Sequence, residues 1–262
     1  MYIMTSIKVA LAVAIFFAFG FRQADAAIAF NWQNNAYNQT AAASATVTKG
    51  SNTINQNDLL IAVVCALNFT TDPGTISTPS GWTIIASQAY VGTSERCASY
   101  YKVAGASESG SYSFSWTNSD VYSWALLDYT GVNSTTPLDG TPGNTNQSGG
   151  GFSPSLVAPS ITPTGASDTL VSIFTLGAGG TVTCGTGCSL TMRVMQSSNN
   201  SSSPWIGVGD LALTSSGATA TETITYSSSV NWYQTWSVAL APGAGGGGGV
   251  SLHLLGAMGA GQ

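Results

Sequence analysis

One short apolar segment that occurs twice constrains the fold of this chain most strongly. The first copy is Asp58-Leu-Leu-Ile-Ala-Val-Val-Cys65 and the second is Asp168-Thr-Leu-Val-Ser-Ile-Phe174. Each copy is nearly continuous in apolar residues, is rich in β-branched side chains and follows a polar turn. An α-helix needs more residues and a polar stripe, so both segments are predicted to be strands that are buried on both faces.

The sequence around the second copy repeats that around the first at a nearly constant spacing. The pairs that lie 110 residues apart are Asp58 and Asp168, Tyr101 and Leu211, and Phe114 and Ile224. Trp124 and Trp236 are matched at a spacing of 112 residues. We infer an internal duplication whose halves cover about 41–132 and 155–242.

Strict alternation of apolar and polar residues indicates further, half-buried strands. Tyr112, Phe114 and Trp116 alternate with serines, which places the three rings on one face of a strand. One half alone would have a small core and an open sheet edge, so the two halves are expected to share one sandwich. The predicted fold is therefore all-β, a two-sheet β-sandwich of jelly-roll-like or immunoglobulin-like type. Two independent small sandwiches are the alternative.

The segments outside these strands set the predicted domain boundaries. Residues 1–26 have the features of a secretory signal peptide, since a 13-residue apolar stretch, 9–21, precedes the small-x-small sequence Ala24-Asp-Ala26. An uncleaved N-terminal anchor is the alternative. The β-sandwich domain then covers 27–242, with 27–39 as a first strand or an N-terminal arm. The segment 133–154, rich in Gly, Pro, Asn and Thr, is predicted to be a loop between the halves.

A glycine-rich linker and a tail form the predicted C-terminal segment, 243–262. The tail is open to three interpretations: a disordered end, a sorting tail, or a strand donated to the sheet of a neighbouring subunit. With no membrane span after signal cleavage, the expected location is extracellular or at the cell surface.

Four cysteines in an exported chain predict two disulfides. Cys184 and Cys188 flank a short glycine-containing loop, which leaves Cys65 and Cys97 as the second pair. A metal site is the alternative, but two thiolates with a single distant histidine make a poor set of ligands. No metal and no cofactor is predicted.

The low charge of the chain restricts its partners. Only 6% of the residues are charged, against about 25% in ordinary soluble domains, and the net charge is -5. This balance argues against nucleic-acid binding, which depends on neutralising phosphates. A surface with so few charges has little protection against association, which suits contact with further copies of the chain or with an uncharged polysaccharide.

Catalytic motifs are not evident in the sequence. His253 is the only histidine and lies in the tail, which argues against nucleophilic catalysis that needs a histidine base. Glycoside hydrolysis needs only two carboxylates. The candidates, which no motif pairs, are Glu95, Glu108, Asp128, Asp139 and Asp210. A glycan-active enzyme is therefore only the third hypothesis.

Three aromatic residues with loop-like neighbours are candidates for binding sugar rings by stacking. Trp205 follows a run of Ser and Asn, and Trp232 and Tyr233 follow a second serine-rich run. The other tryptophans fall on alternating strand positions, where core packing is the expected role. If these three rings are exposed, the protein is a carbohydrate-binding module, which is the second hypothesis.

Turn and strand-end motifs carry a resemblance to known proteins over about 41–242. They lie at 79–85 (PSGWTII), 101–114 (YKVAGASESGSYSF), 129–139 (YTGVNSTTPLD) and 158–163 (APSITP). With them the chain resembles a loosely defined group of bacterial secreted and cell-surface β-sandwich modules. The resemblance implies an extracellular, non-enzymatic module. Our first hypothesis is accordingly a secreted structural or adhesive module that assembles with itself through sheet edges or terminal strands.

Overall fold

The structure of the protein is a computed structural model that describes residues 26–68, 70–92, 95–177, 182–196 and 203–244. Within strands, the side chains of 148–154 and 228–231 are not described. The signal peptide predicted over 1–26, except Ala26, and the C-terminal tail from residue 245 lie outside the described residues. No helix among the described residues is long and apolar enough to cross a membrane.

The described part of the chain is all-β, as the sequence predicts, and its strands form two antiparallel sheets. The first sheet contains β1 (Ala29–Thr48), β2 (Leu59–Leu67), β3 (Thr83–Ile84), β4 (Ala89–Val91), β5 (Glu95–Val103) and β6 (Ser111–Thr130). The second contains β7 (Leu138–Ala158), β8 (Thr169–Leu176), β9 (Val182–Thr183), β10 (Thr191–Gln196), β11 (Trp205–Ala212) and β12 (Glu222–Leu240).

The two repeated apolar segments form β2 and β8, the central strands of the two sheets. The strand order is β1-β6-β2-β5-β3 in the first sheet, with β4 also on β5, and β7-β12-β8-β11-β10 in the second, with β9 also on β12. Every residue of β2 and β8 is buried, which confirms the prediction from their composition. The turn before β2 closes as expected, because Asp58 Oδ2 accepts a hydrogen bond from Asn55 N at 2.6 Å.

The sheets pack face to face around a shared core, and this packing makes the fold a β-sandwich. One face of β2 (Leu59, Ile61, Val63) meets Ile173 of β8 and Trp236 of β12 in a single apolar cluster. The edges of the sheets also meet, since β1 contacts β10 and β4 contacts β7. The alternative of two independent sandwiches is therefore wrong.

Each sheet also has a second core on its outer face, because its longest strands curl over that face. The first ten residues of β6 pair with the end of β1, and Phe114 packs there on Leu60 and Val64. Strand β1 bends enough for Asn34 Nδ2 to donate to Thr48 O at 2.9 Å. In the second sheet, Ile224 of β12 covers Phe174 in the same manner.

The segment that the sequence predicts as a loop between the halves is largely a strand. Strand β7 covers Leu138–Ala158 despite Pro142 and Pro154, so the predicted loop over 133–154 is wrong. Proline is tolerated there because β7 is an edge strand that pairs only with β12, and an edge position leaves backbone donors unused. Residues 29–39, for which the sequence leaves a strand or an arm open, belong to β1.

The strands have the same order in both sheets when β1, β2, β5 and β6 are matched with β7, β8, β11 and β12. The registers differ, however. Trp124 lies opposite Val64, whereas Trp236 lies opposite Ile173, which is matched to Val63. The predicted match between the two tryptophans is therefore one residue out of register. Descent of the two halves from one duplicated unit stays a prediction.

Candidate functional site

The aromatic residues that the sequence proposes as a sugar-binding platform are mostly buried. Trp205 is 1% exposed and Tyr233 is 8% exposed, and both belong to the outer core of the second sheet. The expectation that these two rings are exposed is wrong. Both residues continue the alternation of β11 and β12 into positions that face this core, and the serine-rich neighbours hid that continuity.

Trp232 is half-buried and lies against the backbone of both sheets. A side chain at Gly177 would come within 2.3 Å of Trp232 Nε1, and one at Gly92 would come within 2.9 Å of the same ring. Gly92 follows β4 in the first sheet and Gly177 follows β8 in the second. The ring therefore packs between the sheets at one end of the sandwich, and the three predicted residues do not form a flat exposed surface.

Both predicted disulfides are confirmed. Cys65 of β2 lies directly opposite Cys97 of β5 and is bonded to it, and Cys184 is bonded to Cys188. The Cys65–Cys97 bridge lies in the shared core between the sheets, while the Cys184–Cys188 bridge closes a turn beside the outer core of the second sheet. Two disulfides indicate an oxidising environment such as the cell exterior.

A carboxyl group accompanies the Cys65–Cys97 bridge inside the protein. Glu95 is fully buried, and its Oε1 lies 3.1 Å from Cys97 Sγ. Burial raises the pKa of Glu95 to about 8, so the carboxyl is mostly protonated at neutral pH. Among the described residues, its Oε2 has no hydrogen-bond partner. The sequence gives no signal for this arrangement, because only the register of β2 and β5 brings Glu95 and Cys65 together.

Two of the other candidate carboxylates, Glu108 and Asp210, form ion pairs within the protein. Glu108 accepts a hydrogen bond from Lys102 Nζ at 2.6 Å. Burial alone would raise the pKa of Glu108, but hydrogen bonds such as this one lower it. Asp210 accepts from Arg193 Nε at 2.8 Å and from Tyr129 Oη at 3.1 Å. Because Tyr129 belongs to the first sheet and Asp210 to the second, the hydrogen bond between them connects the two sheets.

Asp139 anchors the turn that precedes β8. It accepts hydrogen bonds from Thr164 N and Gly165 N, both at 2.7 Å. Although burial opposes it, hydrogen bonding by Asp168 and by this turn lowers the pKa of Asp139 to about 2. Asp139 and Asp168 line an open concavity of about 610 Å³. They are hydrogen-bonded to each other, whereas the carboxylates of a glycosidase stand at least about 5 Å apart.

Asp128, the last candidate, is buried below the start of β2. Burial, followed by the nearby charge of Asp58, raises the pKa of Asp128 to about 7. Asp58 lines a second open concavity of about 590 Å³, which Ala26 and Gly243 also line, and there Ala26 N donates to Gly243 O at 2.9 Å. Of the five candidate carboxylates, only Asp139 lines either of these two concavities.

The free edge of β1, which pairs with no other strand although β1 contacts β10, is the most distinctive surface among the described residues. Strand β1 pairs only with β6, and its 20 residues include no charged residue and no proline. Asn35 N donates to the side chain of its neighbour Asn34 at 3.0 Å. Tyr37, in the middle of the strand, is 39% exposed.

Comparison of the chain with protein-family models, curated proteins and solved structures finds no match.

Proposed function

We propose that this protein is a secreted structural module of the cell exterior that associates with further copies of itself through the free edge of β1. Its function is contact between chains and not catalysis. The observation that carries the proposal is the edge itself. A long unpaired strand presents a row of backbone donors and acceptors to which another chain can add.

Comparison with the other sheet edges supports the choice of β1. Strand β7 has Asp139, Pro142 and Pro154 along its length, and prolines and charges on an edge strand are the usual means of preventing association. Strand β10 has six residues and includes Arg193, and β3 has only two residues. Among the edge strands in the described part of the chain, only β1 combines length with the absence of charge and proline.

Shifts in the register with β6 divide β1 into several segments, and the longest of these is the expected contact. The register with β6 is continuous over 32–38 and shifts between Asn38 and Ala42. Seven residues in regular conformation are a typical strand length and are enough for pairing with a second chain. The amide-rich sequence of this segment favours such pairing, because Asn and Gln side chains also hydrogen-bond along stacked strands.

The environment that the proposal requires agrees with the chemistry of the chain. Two disulfides favour an oxidising compartment, and a net charge of -5 spread over 262 residues opposes association only weakly. The carbohydrate-binding alternative has less support, since two of its three aromatic residues are buried.

The test is the assembly state of the chain from Ala27 to Gln262 over a range of concentrations. We expect light scattering after size exclusion to show oligomers that grow with concentration, and negative-stain images to show extended assemblies. The variant Tyr37→Lys/Ala41→Lys places two charges on exposed positions of β1 and should dissociate these assemblies at least tenfold more readily.

The matched control is Ser111→Lys/Ser113→Lys, which adds the same charge at exposed positions of the neighbouring strand β6. The backbone of β6 next to these positions is already paired with another part of the chain, because Ser77 N donates to Ser115 O at 2.7 Å. The control should assemble like the unmodified chain. A strictly monomeric chain at all concentrations, or equal dissociation in both variants, contradicts the proposal.

A further inference from the structure

Cys65, Cys97 and Glu95 form a compact group of potential metal ligands in the shared core. Their sulfur and carboxyl oxygen atoms all lie within 4.8 Å of one another, and all three residues are fully buried. The backbone fixes this arrangement, since Cys65 lies opposite Cys97 and Glu95 is two residues before Cys97 on the same face of β5.

A polar atom beside the cystine lacks the partner that a purely structural role would provide. Among the described residues, Glu95 Oε2 has no hydrogen-bond partner. Gln234, a fully buried residue of the facing sheet, lies nearby, since its Oε1 accepts from Ala89 N at 3.3 Å and Ala89 lies opposite Cys97 on β4. Buried polar groups are almost always paired, so the unpaired carboxyl oxygen of Glu95 calls for a second state in which it is used.

We propose that Cys65, Cys97 and Glu95 bind a thiophilic divalent cation of the Zn²⁺ type when the cystine between them is reduced. The two sulfurs then become thiolate ligands and Glu95 a carboxylate ligand, and Gln234 offers an amide oxygen from the opposite sheet. Sulfur and carboxylate oxygen are both established zinc ligands. The proposal concerns a different part of the molecule from the edge of β1 and does not depend on it.

The dimensions of the cluster suit such a site. In tetrahedral zinc sites the metal–sulfur distance is about 2.3 Å, which separates two sulfur ligands by about 3.8 Å. That separation is within the 4.8 Å that already encloses the ligand atoms. The cation would also neutralise the carboxylate of Glu95 in a dry interior, where an unpaired negative charge is costly.

The change of state needs two electrons and two protons. A water-soluble phosphine supplies the electrons: the S–S bond breaks, phosphorus is oxidised to the phosphine oxide with an oxygen atom from water, and two thiols form. Cation binding then releases one proton from each thiol, because thiolate is the form of cysteine that binds a metal.

The experiment uses Cys184→Ser/Cys188→Ser protein, so that Cys65 and Cys97 are the only thiols. The chain is reduced by phosphine in denaturant and refolded by dilution with increasing Co²⁺ as a spectroscopic probe. We expect a thiolate-to-cobalt absorption band that saturates at one equivalent, is lost on addition of Zn²⁺ and is absent when the cystine is left intact.

Two variants decide the outcome. Further substitution with Cys65→Ser/Cys97→Ser should abolish the band, and Glu95→Gln should weaken Co²⁺ binding at least tenfold. Unchanged affinity in Glu95→Gln refutes the carboxylate as a ligand. The absence of a saturable band, or failure of the reduced chain to refold with either cation, overturns the proposal as a whole.

Discussion

Replacing Glu95 by glutamine should remove much of the dependence of stability on pH in the oxidised protein. Glu95 is fully buried, and burial raises its pKa from the ordinary value of 4.5 to about 8. The folded chain therefore keeps a proton that the unfolded chain loses above pH 4.5. Because the folded state binds more protons over this interval, the free energy of unfolding falls as the pH rises from 4.5 to 8.

The magnitude follows from the difference between the two pKa values. Each pH unit between them corresponds to about 1.4 kcal/mol, so the contribution of Glu95 that is present below pH 4.5 decreases by about 3 kcal/mol at pH 7 and about 5 kcal/mol above pH 8. Domains are commonly stable by only about 5–15 kcal/mol, so this loss is large. The glutamine side chain of Glu95→Gln has nearly the same shape as that of Glu95 but does not titrate. The free energy of unfolding of this variant should therefore not show this decrease with rising pH.

The assay is urea unfolding at pH 5, 7 and 9, followed by the fluorescence of the tryptophans. We expect the difference in unfolding free energy between Glu95→Gln and the unmodified protein to shift in favour of the variant by several kcal/mol from pH 5 to pH 9. Glu108→Gln is the control, because the pKa of Glu108 is lowered and its contribution is lost toward acid pH. Parallel pH profiles for Glu95→Gln and the unmodified protein would refute the reasoning.

Three further outcomes follow from the structure. Asp128→Asn should flatten the decrease in stability between about pH 4 and pH 7, measured by thermal unfolding, because burial raises the pKa of Asp128 to about 7. Removing the Cys65–Cys97 bridge should cost about 3.7 kcal/mol in urea unfolding, against about 2 kcal/mol for Cys184–Cys188, since the first closes a longer loop. Gly177→Ala should lower the free energy of unfolding by about 1–3 kcal/mol and alter the fluorescence of Trp232, against which the added methyl group would lie. In the control Gly185→Ala, no atom lies within 4 Å of the added methyl group, so the free energy of unfolding should change by less than about 0.5 kcal/mol.

Composition and periodicity were enough to predict the fold class and the central strands. The runs that became β2 and β8 are apolar at every position or nearly so, and a strand covered on both faces is the structure that buries them all. The disulfides were also predictable, because four cysteines allow only a few pairings and a short loop selects one of them.

The candidate site could not be predicted in the same way. The edge of β1 has no sequence motif, and its significance depends on which strand is left unpaired at the end of a sheet. Glu95 is an ordinary acidic residue in the sequence, and only the pairing of β5 with β2 places it in the core beside the cystine. Trp205 was mistaken for a loop residue because the composition of its neighbours was given more weight than the alternation of the strand that it begins.

The two tryptophans matched across the repeat show why spacing in the sequence is a weak guide to position in a sheet. Trp236 lies opposite Ile173, which is matched to Val63, but the residue opposite Val63 in the first sheet is Ala125. The match of Trp236 with Trp124 is therefore wrong by one residue. Side chains alternate between the faces of a strand, so a slip of one residue moves a ring to the other side. Trp236 accordingly packs in the core shared by the two sheets, and Trp124 packs in the outer core of its own sheet. The first sheet has Ala125 where the second has Trp236, and the large ring comes from one sheet only. Two sheets with the same strand order thus contribute side chains of different size to their common core, and the halves fit each other without being interchangeable.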